Sequence, residues 1–277
     1  MRLVTVTLFR IGRLFARATR VFNHLAAGTL RIRDLRVGIE RAWEDFSAPD
    51  AAVAAGLMDW EEDLVSRFLN PDDHVLLVGS GPGRDLVALA GRGYRVTGVE
   101  PARRATATAR RHLAQRGLSV DIIEGFFEDA PLSGRFDVIM FSYCCYCFIP
   151  NSRRRIAALR KATEHLAARG RIIISYLTDP SGHPLLMDLA RLSATVSGSD
   201  WRPERGDVVH LVDSARPLFH YEHPFQPGEI DAEVSAAGLD VAYRHDAREA
   251  TVVVLTKARG EDDERNARLP DGSSAGG

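Results

Sequence analysis

From about Leu57 to Thr256, short aliphatic and β-branched runs alternate with stretches of helical period. This alternation predicts strands at His74–Val78, Tyr94–Val99, Val120–Ile123, Phe136–Phe141 and Arg171–Tyr176. Helices are expected between them over Arg84–Arg92, 102–115 and Pro150–Leu166. The strand runs are apolar throughout rather than alternating, as strands buried on both faces of a parallel sheet must be. Some fifty residues rich in Asp, Pro, Gly and His follow Tyr176, longer than an ordinary connection and therefore expected to be functional. The pattern resumes with a helix over Pro227–Ala237 and strands over Val241–His245 and Thr251–Thr256. The link between those two strands is too short for a crossover helix, so they are expected to run antiparallel. The fold class that follows is a doubly wound, Rossmann-like α/β domain with an amino-terminal helical extension.

Within that extension, Ile11, Leu14, Phe15, Ala18, Phe22 and Leu25 recur at helical spacing, with Arg10, Arg13, Arg17 and Arg20 on another face. Residues 1–33 carry seven arginines and no acid. Two readings stand: a helix packed over the core, or a basic amphipathic helix that meets an anionic membrane surface, with the Arg-rich look of a targeting peptide. The pattern lapses around Gly28 to Asp34, and a second helical stretch with Trp43 and Phe46 leads into a linker. The expected division is a basic extension over 1–56, a main domain over 57–258 and a disordered tail over 259–277.

Composition narrows the class. With 277 residues, 45% hydrophobic content and a net charge of -1, the chain can bury one sizeable core and has no bulk basic character to hold nucleic acid. No apolar run approaches the roughly 20 residues of a membrane span. All three cysteines cluster at Cys144, Cys145 and Cys147, which cannot staple distant parts of a secreted fold. A cytoplasmic location is expected, with membrane association left open. A soft metal on this cluster is disfavoured against buried thiols packing as small hydrophobes, so no metal is expected.

The chemistry concentrates at Val75-Leu-Leu-Val-Gly79-Ser-Gly81-Pro-Gly83-Arg-Asp85, where a strand feeds a glycine turn that opens a helix. Glycines let the backbone turn tightly and come close to a ligand. Twenty-one residues after Gly79, Glu100 ends the second strand, where a carboxylate can accept both hydroxyls of a ribose. Together they indicate an adenosine-containing cofactor. A dinucleotide site calls for G-x-G-x-x-G, but here the third glycine, Gly83, comes one residue early. That spacing disfavours an NAD(P)-dependent oxidoreductase.

With the closing antiparallel strand pair, G-x-G-x-G resembles the class I S-adenosylmethionine-dependent methyltransferase family over residues 57–257. The resemblance implies a seven-stranded sheet whose last strand is inserted antiparallel, and S-adenosylmethionine as cofactor. It implies that Gly79, Ser80, Gly81 and Gly83 line the methionine end and that Glu100 binds the ribose. Gly125-Phe-Phe-Glu-Asp129 resembles the adenine-binding stretch, which would then rely on Phe127, Glu128 and backbone amides. Two positions depart from the family pattern: Phe126 where an Asp often follows the glycine, and Leu77 where many members carry an acid. Trp43 resembles an aromatic element with which some small-molecule members cover the cofactor.

The fourth strand delivers Ser142 to Cys147, including Tyr143, to the carboxyl edge of the sheet, where ligands sit in open α/β folds. Ser142 is expected beside the cofactor and Tyr143 beside the reacting methyl. The segment is not the Asn/Asp-Pro-Pro-Tyr of members acting on base or glutamine nitrogens, which favours a small-molecule O, N or S acceptor. His183, His210, His220 and His223 lie in the long insertion, with His220 and His223 the preferred general bases. The competing reading from another class is a non-catalytic scaffold or regulatory protein that keeps cofactor binding.

Overall fold

The computed structural model describes residues 2–44, 50–179, 184–212 and 218–258. The proposed tail beyond 258, Phe46 and His183 lie outside them. The extension forms α1 (Arg2–Ala27), α2 (Ile32–Glu44) and α3 (Asp50–Ala55). The central unit runs α4 (Asp59–Phe68), β1 (His74–Val78), α5 (Arg84–Gly91), β2 (Arg95–Glu100), α6 (Arg103–Ala114), β3 (Asp121–Glu124), β4 (Phe136–Phe141), α7 (Ser152–Glu164) and β5 (Leu166–Tyr176). Next come α8 (Pro184–Ser197), β6 (Val208–Val212), β7 (Leu218–Glu222), α9 (Glu229–Ala236), β8 (Leu239–Asp246) and β9 (Thr251–Lys257).

Seven strands form one sheet in the order β3-β2-β1-β4-β5-β9-β8. The first five are parallel, and β9 pairs antiparallel with both β5 and β8, as the short link closed by Ala247 N–H to the Ala250 carbonyl requires. Successive side chains of a strand point to opposite faces, and the core divides accordingly. Leu76, Ile139, Ile172 and Val253 pack with Leu159 of α7 and Val234 of α9. Their neighbours Leu77, Val138, Ile173 and Val254 pack with Leu64 of α4, Leu86 of α5 and Leu113 of α6. The uninterrupted apolar runs are this two-sided burial read along the chain.

The insertion after β5 contains α8 and the antiparallel hairpin β6–β7, elements its Pro, Gly and His content hides at the level of pattern. Phe225 N–H donates to the Leu177 carbonyl at 2.7 Å, so the insertion leaves and rejoins the body at a narrow neck. A third cluster joins Leu35 and Ile39 of α2 to Trp201 and Tyr221 of the insertion. Gly38 makes this contact possible, since a Cβ there would lie 1.9 Å from the Phe219 carbonyl oxygen. α1 lies against α8 at its carboxyl end, where Ser193 Oγ donates to the Leu25 carbonyl at 2.7 Å. Most of its apolar stripe is exposed rather than packed over the core. Among the described residues, no helix is long and apolar enough to cross a membrane.

Candidate active site

A cavity of about 290 Å³ opens at the carboxyl edge of β1, β2 and β4, roofed by Arg36, Ile39 and Trp43 of α2. The glycine turn forms its floor. Gly79, Gly81 and Gly83 have φ of +73°, +52° and +98°, a region that side chains strain. Their reasons differ. A Cβ at Gly79 would meet Cys145 at 2.8 Å and one at Gly83 would meet Ala109 at 2.8 Å, whereas one at Gly81 would meet nothing within 4 Å. Gly79 and Gly81 line the cavity, Gly79 also packed against Cys145, whereas Gly83 packs against Ala109 outside the cavity wall.

Glu100 is almost fully buried and accepts hydrogen bonds from Gly81 N–H at 2.7 Å and Ala102 N–H at 2.9 Å. Burial pushes its carboxyl up to about 7, against the pull of those two donors. Nearby, Arg84 bridges two buried carboxylates, donating to Glu61 and Asp85 at 2.6 Å each. Burial and the charge of Asp85 raise Glu61 to about 7, with Arg84 opposing. The other Asp85 oxygen accepts from Ser142 Oγ at 2.6 Å, so Ser142 and Asp85 reach the cavity as one hydrogen-bonded unit. Leu77 is fully buried among Leu86 and Val87, away from the cavity.

Phe127 and Glu128 both line the cavity. Phe127 packs edge-on to Phe141 at 5.3 Å, and Arg154 donates to Glu128 at 3.0 Å. Phe126 carries the Arg36 guanidinium over its ring at 4.1 Å, and Arg36 also pairs with Asp129. Trp43 meets Phe148 edge-on at 6.0 Å, and Phe148 meets His220 at 5.6 Å.

Of the three residues proposed as catalytic, only Tyr143 lines the cavity. Burial raises its phenol, so near neutral pH it is a hydrogen-bond donor and not a base. His220 is half-buried behind Phe148, and burial lowers its imidazole. His223 does not line the cavity. It is fully buried, with Nδ1 2.7 Å from Asp207 and Nε2 2.9 Å from Glu229. Burial alone would lower it, but these two hydrogen bonds carry it up to about 9. Arg155 completes the network against Glu204, Glu229 and Glu233, tying the insertion to α7 and α9. Cys147 is buried and Cys145 is a half-buried lining residue of the cavity, and desolvation holds both thiols well above their ordinary value.

Asp85 stands inside the glycine motif, so its polar side chain on the opening turn of a helix was the available signal. Arg36 and Phe148 had none, because their places depend on how α2 and the insertion meet.

Residues 75–170 match the family model for a methyltransferase domain. They contain the glycine turn, Glu100 and Ser142 in the places just described. Over that segment the chain is similar to methyltransferase domains. It is 31% identical over 153 residues to a protein-L-isoaspartate O-methyltransferase of Methanoregula boonei, covering 54% of this chain and 63% of that one. The chain thus spans less than two thirds of this curated relative. The methyltransferase CcbJ of Streptomyces caelestis superposes with a TM-score of 0.56 at 19% identity, covering 80% of this chain and 96% of that one. The glycopeptide N-methyltransferase MtfA, solved with S-adenosylmethionine, gives 0.52 at 17% identity, covering 72% of this chain and 92% of that one. At such identities the superpositions show a shared fold. The cavity fits S-adenosylmethionine, the compound with which MtfA was solved. Ser80, a buried cavity residue, has a hydroxyl without a hydrogen-bond partner, and Gly81 leaves room for a ligand beside Glu100.

Proposed function

We propose that this protein transfers the methyl group of S-adenosylmethionine to a small-molecule acceptor held between Tyr143, Trp43 and Phe148. The observation that carries this reading is a single cavity whose wall runs from the glycine turn and Glu100 to these aromatic residues. When bound, the cofactor supplies an electrophilic methyl group on a sulfonium. Glu100 then accepts from the ribose hydroxyls, and Phe127 with Glu128 flanks the adenine. The Asp85–Ser142 unit provides the polar contact at the amino-acid end that Leu77 does not.

In-line displacement requires mainly orientation, so the protein's contribution is to hold the nucleophile in near-attack geometry. Ile39 and Trp43 set apolar surface over that space, and the Tyr143 hydroxyl, which donates to the Glu249 carbonyl at 3.4 Å, swings that donor to an acceptor oxygen or nitrogen. With His223 committed to Asp207 and Glu229, no histidine of the insertion is assigned as base. An acceptor that arrives as a neutral amine or a thiolate attacks without one. Incubation with methyl-labelled cofactor and fractionated small-molecule extract tests this. Label is expected in a low-molecular-weight product. Tight cofactor binding with label in no fraction would favour the scaffold reading instead.

A further inference from the structure

We propose that α1, together with the adjoining edge of α8, docks the protein on an anionic lipid surface. α1 has 26 residues and so extends about 39 Å. Leu3, Leu8, Leu14, Phe15 and Phe22 keep between 63% and 80% of their surface exposed. At about 100° per residue they fall within an arc of about 140° of the helix, with Val6 and Phe9 outside it. Arg10, Arg13, Arg17 and Arg20 occupy a separate arc of about 80° that flanks the stripe, its edge about 20° from Leu3.

The stripe continues onto α8. Ser193 of α8 faces α1, and a Cβ at Gly28 would lie 2.2 Å from the Ala190 carbonyl oxygen, so the two helices touch closely. Leu185, Leu192 and Val196 of α8 recur at spacings of seven and four residues and remain exposed. Two packed helices thus present apolar side chains to solvent over a length that a monomer does not ordinarily leave bare.

Charge selects the occupant. A second copy placed against α1 would set arginine against arginine, since residues 1–33 contain no acid to pair with them. A lipid surface supplies both things α1 lacks, an apolar interior for the stripe and phosphates for the guanidinium groups. The helix then lies in the interface plane and does not cross it, in keeping with its interrupted apolar content. The connection from α1 leads directly to α2, which roofs the cavity.

The test is flotation of the full-length protein with vesicles of phosphatidylcholine containing phosphatidylglycerol, and with phosphatidylcholine alone. Binding is expected to the first at low salt and to fall steeply as salt shortens the screening length. Arg13→Gln should weaken it about fivefold, the equivalent of one surface cation near the membrane. Leu14→Asp with Phe15→Asp should weaken it by more than about tenfold. Cofactor affinity by calorimetry should stay unchanged in both variants, which shows that they are folded and separates this proposal from the reading of the active site. Full-length protein that stays with the unbound fraction, or that binds both vesicle types equally, overturns the proposal. So does a dimer in sedimentation that Phe15→Asp dissociates while no vesicle binding is seen, because the stripe would then belong to a second copy.

Discussion

Replacing Glu100 by Gln keeps the size of the side chain and removes its charge, and the structure gives this change two effects of opposite sign. The carboxylate accepts from Gly81 and Ala102 and has lone pairs left for the ribose hydroxyls. Hydrogen bonds to a charged group are worth about 1.5 to 3 kcal/mol, so Glu100→Gln should weaken cofactor binding about ten- to a hundredfold near pH 8. The carboxyl sits at about 7 in the folded protein. Lowering the pH to about 5.5 therefore leaves roughly one site in thirty ionised, and wild-type affinity should fall about thirtyfold if only the ionised form binds. The Gln variant reports any titration of the ligand itself.

Stability runs the other way. A carboxyl raised from its ordinary 4.5 to about 7 by folding contributes stability that is fully present below pH 4.5 and lost as the pH rises through about 7. Glu100→Gln abolishes that loss. Its melting temperature relative to wild type should rise with pH while its relative affinity falls. Calorimetric titration and thermal melts of both proteins between about pH 5.5 and 8 provide the comparison. Equal affinities within about twofold at pH 8, or a wild-type affinity flat across the range, would refute the ribose assignment.

Gly81→Val places a β-branched residue at φ +52° beside the cavity and should reduce cofactor affinity by more than about tenfold by calorimetry. Gly38→Ala forces α2 off the Phe219 carbonyl and should lower both the melting temperature and cofactor affinity, although no atom of Gly38 lines the cavity. His223→Gln should destabilise the protein by about 2 to 3 kcal/mol near pH 6 in urea unfolding. An imidazole raised from 6.5 to about 9 contributes fully below pH 6.5 and loses its contribution as the pH rises through 9, so the two proteins should converge there. Activity measured on protein that remains folded should change little.

The sheet was legible because its central strands are buried on both faces, and Val75 to Val78 of β1 and Val138 to Phe141 of β4 run without a polar residue. The glycine turn and Glu100 were legible because spacing alone encodes them. Three things were not. The place of His223 depends on Asp207 and Glu229, two carboxylates that the fold brings to its two nitrogens, and nothing in the polar insertion signals that this histidine is buried between them and away from the cavity wall. Phe126 reads as a departure at an adenine position, yet in space it is the platform for Arg36, which lies ninety residues earlier. Glu100 reads as a ribose ligand, but the structure also gives it the Ala102 contact beside its place in the cavity wall, because a buried carboxylate must satisfy both oxygens.

The roof of the cavity rests on the small cluster of Leu35, Ile39, Trp201 and Tyr221 rather than on the sheet. Seating of α2 is therefore an equilibrium of its own, and the measured affinity for the cofactor is the intrinsic affinity scaled by the fraction of molecules with α2 in place. By linkage, bound cofactor must increase that fraction by the same factor, so amide exchange in 32–44 should slow on cofactor addition more than exchange in the central strands.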